Sequence, residues 1–205
     1  MDSNIEASKE ADIVIVAVKP WLIENVINSM NLKSNQILVS VAAGISFEQL
    51  EHYVGVKMPM FRVVPNTAIA YMESMTLVAS RNATEEQDKM ILDIFNEMGM
   101  ALLIPESQIP ATTALASCGI AFVLKYIQAA MQAGIEMGIY PKQAQMMIAQ
   151  TVKGAAELLL NDPSTHPSVE IDKVTTPGGI TIKGINELDH NGFTSAVVKA
   201  MKACK

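Results

Sequence analysis

Cysteine is scarce in this chain of 205 residues: Cys118 and Cys204 form neither a CxxC pair nor a framework. That usage fits a reducing compartment, so a cytoplasmic protein is expected. Aromatic residues make up only 5%, and 15 basic against 21 acidic residues leave a net charge of -6. With few stacking platforms and no basic excess, nucleic-acid binding is not expected. Long hydrophobic runs are also missing. The stretch from Ala111 to Leu124 meets Lys125, Gln128 and Gln132 before reaching the roughly 18 residues of a membrane span, so no membrane partner is expected. The first residues, Met1 to Glu6, carry neither a basic n-region nor an apolar h-region, which excludes a signal peptide as a reading. His52, His166 and His190 lack metal-ligand spacing, so no metal is expected, and no GxSxG marks a hydrolase nucleophile. Finally, no two glycines are separated by a single residue, so the Gly-x-Gly-x-x-Gly turn of dinucleotide folds is absent.

What is present is enough apolar material, 50% of the residues, to bury a core. The first half alternates strands with helices. Ile13 to Val18 and Ile37 to Val41 are β-branched runs that read as strands buried on both faces of a parallel sheet. Further strands are expected at Met58 to Val64, Met75 to Ser80 and Ala101 to Ile104. Ser46 to Gln49 and Thr84 to Gln87 are capping-box patterns that open helices, the second with an apolar face of Ile91, Ile94, Phe95 and Met98. From Ser107 onward the strand signal vanishes and helical periodicity takes over. The chain is therefore expected to be α/β, with a sheet domain over 1–106 and an all-helical domain over 107–205. Gly119, Gly134, Gly138 and Gly154 read as close helix–helix packing points inside those helices.

Four sets of residues could carry chemistry. Thr176-Pro177-Gly178-Gly179-Ile180-Thr181 is a tight turn feeding a helix start, whose free N–H groups would seat a carboxylate or phosphate; an ordinary connecting turn is the other reading. Lys19 follows a buried strand at its carboxyl end, where open α/β sheets bind ligands, and it equally fits a solvated strand end. Val41-Ala42-Ala43-Gly44 sits at the matching end of the next strand, small enough for a flat ring to approach. Asn66, in Arg62-Val63-Val64-Pro65-Asn66-Thr67, either joins that face or satisfies the amides of its own turn.

Taken in order along the chain, these stretches resemble the pyrroline-5-carboxylate reductases, the enzymes of the last step of proline biosynthesis. Ala17-Val18-Lys19-Pro20, Ser40-Val41-Ala42-Ala43-Gly44-Ile45 and Arg62 to Thr67 look like landmarks of that family's cofactor domain. Gln150 to Ala156, His166-Pro167 and Thr176 to Ile182 look like its helical domain, and the match covers essentially the whole chain. Three features depart from the pattern. Ala116-Ser117-Cys118-Gly119-Ile120 stands where the family has a Ser-Gly-Pro-Ala stretch, Ile180 replaces a usually small residue, and the family's first βαβ unit with its GxGxxG turn has no counterpart ahead of Ile5.

The resemblance implies a partial Rossmann-like sheet followed by a helical dimerisation domain. It implies reduction of 1-pyrroline-5-carboxylate, a cyclic imino acid, to L-proline by NADPH or NADH in a homodimer or higher homo-oligomer. Val174, Thr176, Gly178, Gly179, Ile180 and Thr181 would bind the substrate, with Thr181 the catalytic contact to the ring nitrogen. Ala17, Val18, Lys19, Pro20, Val41, Ala42, Ala43 and Asn66 would line the nicotinamide end of the cofactor. An inactive dimerising remnant of the family, or another two-domain NAD(P)-dependent dehydrogenase, are the alternative readings.

Overall fold

Five strands form one sheet in the computed structural model, which describes residues 3–204. They are β1 (Ile13–Val16), β2 (Ile37–Ser40), β3 (Met60–Val64), β4 (Ser74–Arg81) and β5 (Gly99–Leu103), in the spatial order of the sequence. A short helix, α1 (Asn4–Lys9), precedes them. It is sewn to the start of β2 by buried Gln36, whose Nε2 donates to Ser8 O (2.7 Å) and Ala11 O (2.6 Å). The crossovers α2 (Ile23–Asn28) and α3 (Phe47–Val54) make β1, β2 and β3 parallel, and α4 (Glu85–Asn96) makes β5 parallel to β4. The sheet is not wholly parallel, as the sequence had suggested: β4 runs antiparallel to β3. The connection over 65–73 is shorter than the dozen or so residues a parallel crossover needs, so the chain can only double back.

Period-two alternation divides the core between the two faces of the sheet. Val14, Val16, Leu38, Met60, Leu77 and Ala79 pack on one face against Ile23 and Ile27 of α2 and Phe47 and Leu50 of α3. Val39, Phe61, Val63 and Val78 pack on the other against Ile91 and Phe95 of α4, with Ile94 and Met98 at the margin. β2 is buried throughout, whereas β1 is not: Ile15 is 51% exposed. The reason is position. Among the described residues β1 pairs only with β2, so it is an edge strand, and a groove lined by Ala7, Ser8, Val26 and Met30 runs beside it.

Both capping boxes form as their sequences require, with Ser46 Oγ accepting from Gln49 N and Thr84 Oγ1 from Gln87 N. After β5 the chain enters a helical run of 31 residues, Glu106–Glu136. Within it lie α5 (Ile109–Thr112), a π-helical turn over Thr113–Cys118, and α6 (Gly119–Glu136). By length and composition this run could cross a membrane, a test that helices of water-soluble cores also pass. There follow α7 (Pro141–Leu160), α8 (Pro167–Val174), α9 (Ile180–His190) and α10 (Phe193–Ala203).

The chain divides into two compact units, the first reaching Ile120 and the second Ala121–Cys204. The helical character begins near residue 107, but Ile109 and Ala116 pack into the sheet's own core and belong with the first unit. Of the four glycines read as helix packing points, Gly134 is one, because an added Cβ would sit 3.4 Å from that of Ala144. Gly138 instead ends its helix at φ +91°, and around Gly154 there is open space.

Candidate active site

Parallel pairing of β1, β2 and β3 brings their carboxyl ends to one edge of the first unit. Past β1 come Ala17, Val18, Lys19 and Pro20, with Ala17 and Lys19 exposed and Lys19 O accepting from Leu22 N (2.9 Å) to start a short turn. Beyond β2 come Val41, Ala42 and Ala43, tied back by the bond from Val41 N to Val16 O (3.2 Å) and turned by Gly44 at φ +77°. No side chain larger than methyl rises from Ala17, Ala42 or Ala43, so this edge admits a flat ring against backbone. Lys19 is the cation beside it.

Asn66, past β3, is placed differently. It is only 8% exposed, and both ends of its amide are engaged: Oδ1 accepts from Ala68 N (2.9 Å) and Nδ2 donates to Ala116 O (3.1 Å). Its side chain is thus built into the protein rather than offered to the edge.

The second unit brings Val174, Thr176, Gly178, Gly179, Ile180 and Thr181 together at the junction of α8 and α9. Gly179 N donates to Thr176 O (2.9 Å), closing a four-residue turn with Pro177 second and Gly178 third at φ +73°. That is the geometry of a type II turn, which asks for proline and glycine at those two places. Gly179 is fixed for another reason: a Cβ there would lie 2.7 Å from Thr176 Oγ1 and 2.9 Å from Thr176 O. Gly179 is also the N-cap of α9, and no side chain caps the first-turn N–H groups. The helix start therefore presents unsatisfied donors and the positive dipole end to whatever anion sits on it, with the exposed Thr181 hydroxyl alongside.

Among the described residues, no three His, Cys, Asp or Glu side chains gather into a set that could hold a metal. His166 caps α8, its Nδ1 accepting from Ser168 N (3.2 Å).

Two features near these sites had no signal in the sequence. One is the π-turn at Thr113–Cys118, whose residues are unremarkable in type. The other is an ion cluster that gathers residues distant along the chain. Glu106 Oε1 accepts from Arg62 Nη1 (2.6 Å) and Phe47 N (2.9 Å), and its Oε2 accepts from Arg81 Nη2 (3.1 Å). Arg81 also binds Glu48 and Glu51 and lies 5.0 Å from the centre of the Phe47 ring.

Comparison with known proteins matches residues 106–205 to a family model described as pyrroline-5-carboxylate reductase dimerisation. Residues 1–44 match one described as NADP oxidoreductase coenzyme F420-dependent. The chain is 40% identical over 213 residues to pyrroline-5-carboxylate reductase 1 of Dictyostelium discoideum, covering 97% of this chain and 38% of that protein. It is 38% identical over 215 residues to reductase 2 of the same organism, covering 97% and 72%. The reductase of Methanosarcina acetivorans is 35% identical over 98% of this chain and 77% of its own length. Among solved structures, the chain is similar to the Plasmodium falciparum pyrroline carboxylate reductase with NADP bound (TM-score 0.89, 30% identity, covering 100% of this chain and 78% of that one). The Streptococcus pyogenes 1-pyrroline-5-carboxylate reductase matches at TM-score 0.88 and 31% identity, covering 99% and 78%. A ketol-acid reductoisomerase shares the fold at TM-score 0.59 with 15% identity.

Proposed function

The chain belongs to the pyrroline-5-carboxylate reductase family, and from that premise we propose that it reduces 1-pyrroline-5-carboxylate to L-proline with NADPH or NADH in the cytoplasm. The observation that carries the proposal is the Thr176–Thr181 junction: a glycine-dependent turn delivering an uncapped helix start with a hydroxyl beside it. The substrate is a small ring with one carboxylate and one imine nitrogen. The N–H groups at the start of α9 hold the carboxylate, and the Thr181 hydroxyl takes the ring nitrogen, two fixed points that orient the C=N bond. Thr176, Ile180 and Val174 shape the exposed mouth around them.

The carboxyl-end edge of the sheet fits the flat end of a nicotinamide cofactor, since Ala17, Ala42 and Ala43 leave the backbone open to a ring and Lys19 adds a positive charge nearby. When bound, the cofactor supplies a hydride to the imine carbon. With the imine nitrogen protonated before reduction, hydride addition would leave a neutral amine with no further proton to supply, and the Thr181 hydroxyl would accept from that N–H and hold the ring in place. Val18, Pro20 and Val41 close the apolar sides of the edge.

The test is direct. Purified protein is given NADPH or NADH and racemic pyrroline-5-carboxylate, and cofactor oxidation and proline formation are followed together. Proline formed in step with cofactor oxidation supports the proposal. Cofactor oxidation with an oxo acid but none with the cyclic imine would overturn it in favour of a different dehydrogenase.

A further inference from the structure

A polar relay runs from the start of β4 through Asn66 and ends at Ala116 in the π-turn. Thr76 is fully buried, and its hydroxyl lies 2.9 Å from that of Ser74, which is 2% exposed. Ser74 Oγ accepts from Asn66 N (3.1 Å), and the Asn66 amide then spans the turn after β3: Oδ1 takes Ala68 N and Nδ2 gives to Ala116 O. Every link is neutral; those at Ser74 are buried and the two made by the Asn66 side chain are partly so, and a partner lost there costs more than a surface bond returns. The terminus of the relay is the telling part. Ala116 lies inside the Thr113–Cys118 π-turn, where the regular four-residue ladder gives way to five-residue spacing.

The same helical run is gripped a second time, at its start. Glu106 binds Arg62, Arg81 and the Phe47 amide, so the run is fastened at residue 106 by ions and at residue 116 by an amide. Glu106 anchors the start of the run, and the second anchor, Ala116, falls within the π-turn itself. We propose that Asn66 is a positioning residue that holds the Thr113–Cys118 π-turn open by binding Ala116 O, and that it is not a ligand of the cofactor. This departs from the cofactor contact the sequence had suggested for Asn66. It also explains why so small a side chain is buried at the end of three hydroxyl and amide links.

The experiment uses Asn66→Asp, which keeps the oxygen that accepts from Ala68 N and replaces the donor facing Ala116 O with a second acceptor. Amide hydrogen exchange over 113–120 is measured without cofactor or substrate, so the result stands whether or not the reductase reading does. At neutral pH, exchange over 113–120 is expected to quicken at least tenfold while β2 and α3 stay protected. The hydrogen-bond partners of the new carboxyl, from Ala68 and Ala116, are uncharged backbone groups, so when protonated in acid it donates again to Ala116 O. Protection over 113–120 is then expected to return as pH falls, a reversal that simple loss of packing does not produce. NADPH affinity is expected within threefold of the starting protein, with turnover reduced severalfold, as for residues that act through a hinge. If Asn66→Asp fails to fold, Ser74→Ala cuts the relay one link earlier and should raise exchange over 113–120 by a smaller factor. Unchanged exchange in the variant that folds, or a tenfold loss of NADPH affinity with the π-turn still protected, overturns the proposal.

Discussion

At the scale of single residues, the α8–α9 junction shows how little side chain a carboxylate seat needs. Its geometry is set by what Gly178 and Gly179 lack. Gly178 occupies φ +73°, which an L side chain adopts at a cost of about 1 kcal/mol, and Gly179 faces Thr176 at distances no Cβ tolerates. Gly179→Ala is therefore expected to displace the first turn of α9 and weaken substrate binding by at least tenfold in KM, while the melting of the sheet unit, which contains none of these atoms, stays as it was. Steady-state kinetics beside thermal unfolding checks both halves. Thr181→Ala belongs to a different class, because it removes one oriented polar contact and leaves the turn intact. By comparison with loss of an oxyanion donor, about 2–4 kcal/mol of transition-state stabilisation goes, which appears in turnover and not in cofactor affinity. Unchanged kinetics in Thr181→Ala would remove it from the site.

At the scale of elements, local chemistry accounts for most of the sheet unit. The Thr84 capping box satisfies two backbone N–H groups at the start of α4, and Ile91 and Phe95 on its inner face lock it to the sheet. Thr84→Ala should cost about 1 kcal/mol of unfolding free energy in denaturant titration. A helix start in the second unit carries a pH signal. The Glu170 carboxyl is held below its ordinary range, first by the Lys173 ammonium, against a partial cost of desolvation, and then by the Thr165 hydroxyl. A carboxyl lowered by folding stabilises the fold above the ordinary carboxylate pKa, and that contribution is lost as the pH falls through the lower, folded value. Amide protection over 165–174 should therefore be constant from neutral pH down to about pH 5 and decline below it. A constant protection through that range would separate Glu170 from the stability of α8.

These same elements show which parts of the molecule could be read from residues alone. The β-branched runs of β1 and β2, both capping boxes and the Pro177-Gly178-Gly179 turn are short-range features, each decided by neighbours within four residues, and so they were legible. The reversal of β4 depends on a connection length. The exposure of Ile15 depends on which strand lies beside β1. The π-turn and the engagement of Asn66 depend on Ala116, 50 residues away. Nothing in local composition encodes such partners.

At the scale of the whole chain, the two units differ in how well they cover themselves. The sheet unit buries two continuous clusters, but within 121–204 the only buried apolar side chain, among the described residues, is Ala144. Leu124, Tyr126, Met137, Met146, Leu158 and Phe193 all stand more than 40% open. An apolar surface of that extent on a protein with only 18% charged residues calls for a cover. The match of residues 106–205 to a dimerisation family points to a second copy. A groove between α6 and α10, lined by Phe122, Tyr126, Leu188, Phe193 and Val197, is the natural place for an apolar element of that copy. The protein is accordingly expected to be a homo-oligomer at micromolar concentration. Phe193→Asp removes an apolar ring from this groove and puts there a carboxylate that docking would strip of water, with Lys125 the one cation among the residues lining the groove. The expected result is a dissociation constant raised about a hundredfold, the equivalent of roughly 3 kcal/mol. Light scattering should then show the mass falling toward 22.1 kDa while the circular dichroism of the sheet unit persists. A monomer before substitution, or an assembly that Phe193→Asp leaves intact, would mean that the groove is not where the copies meet.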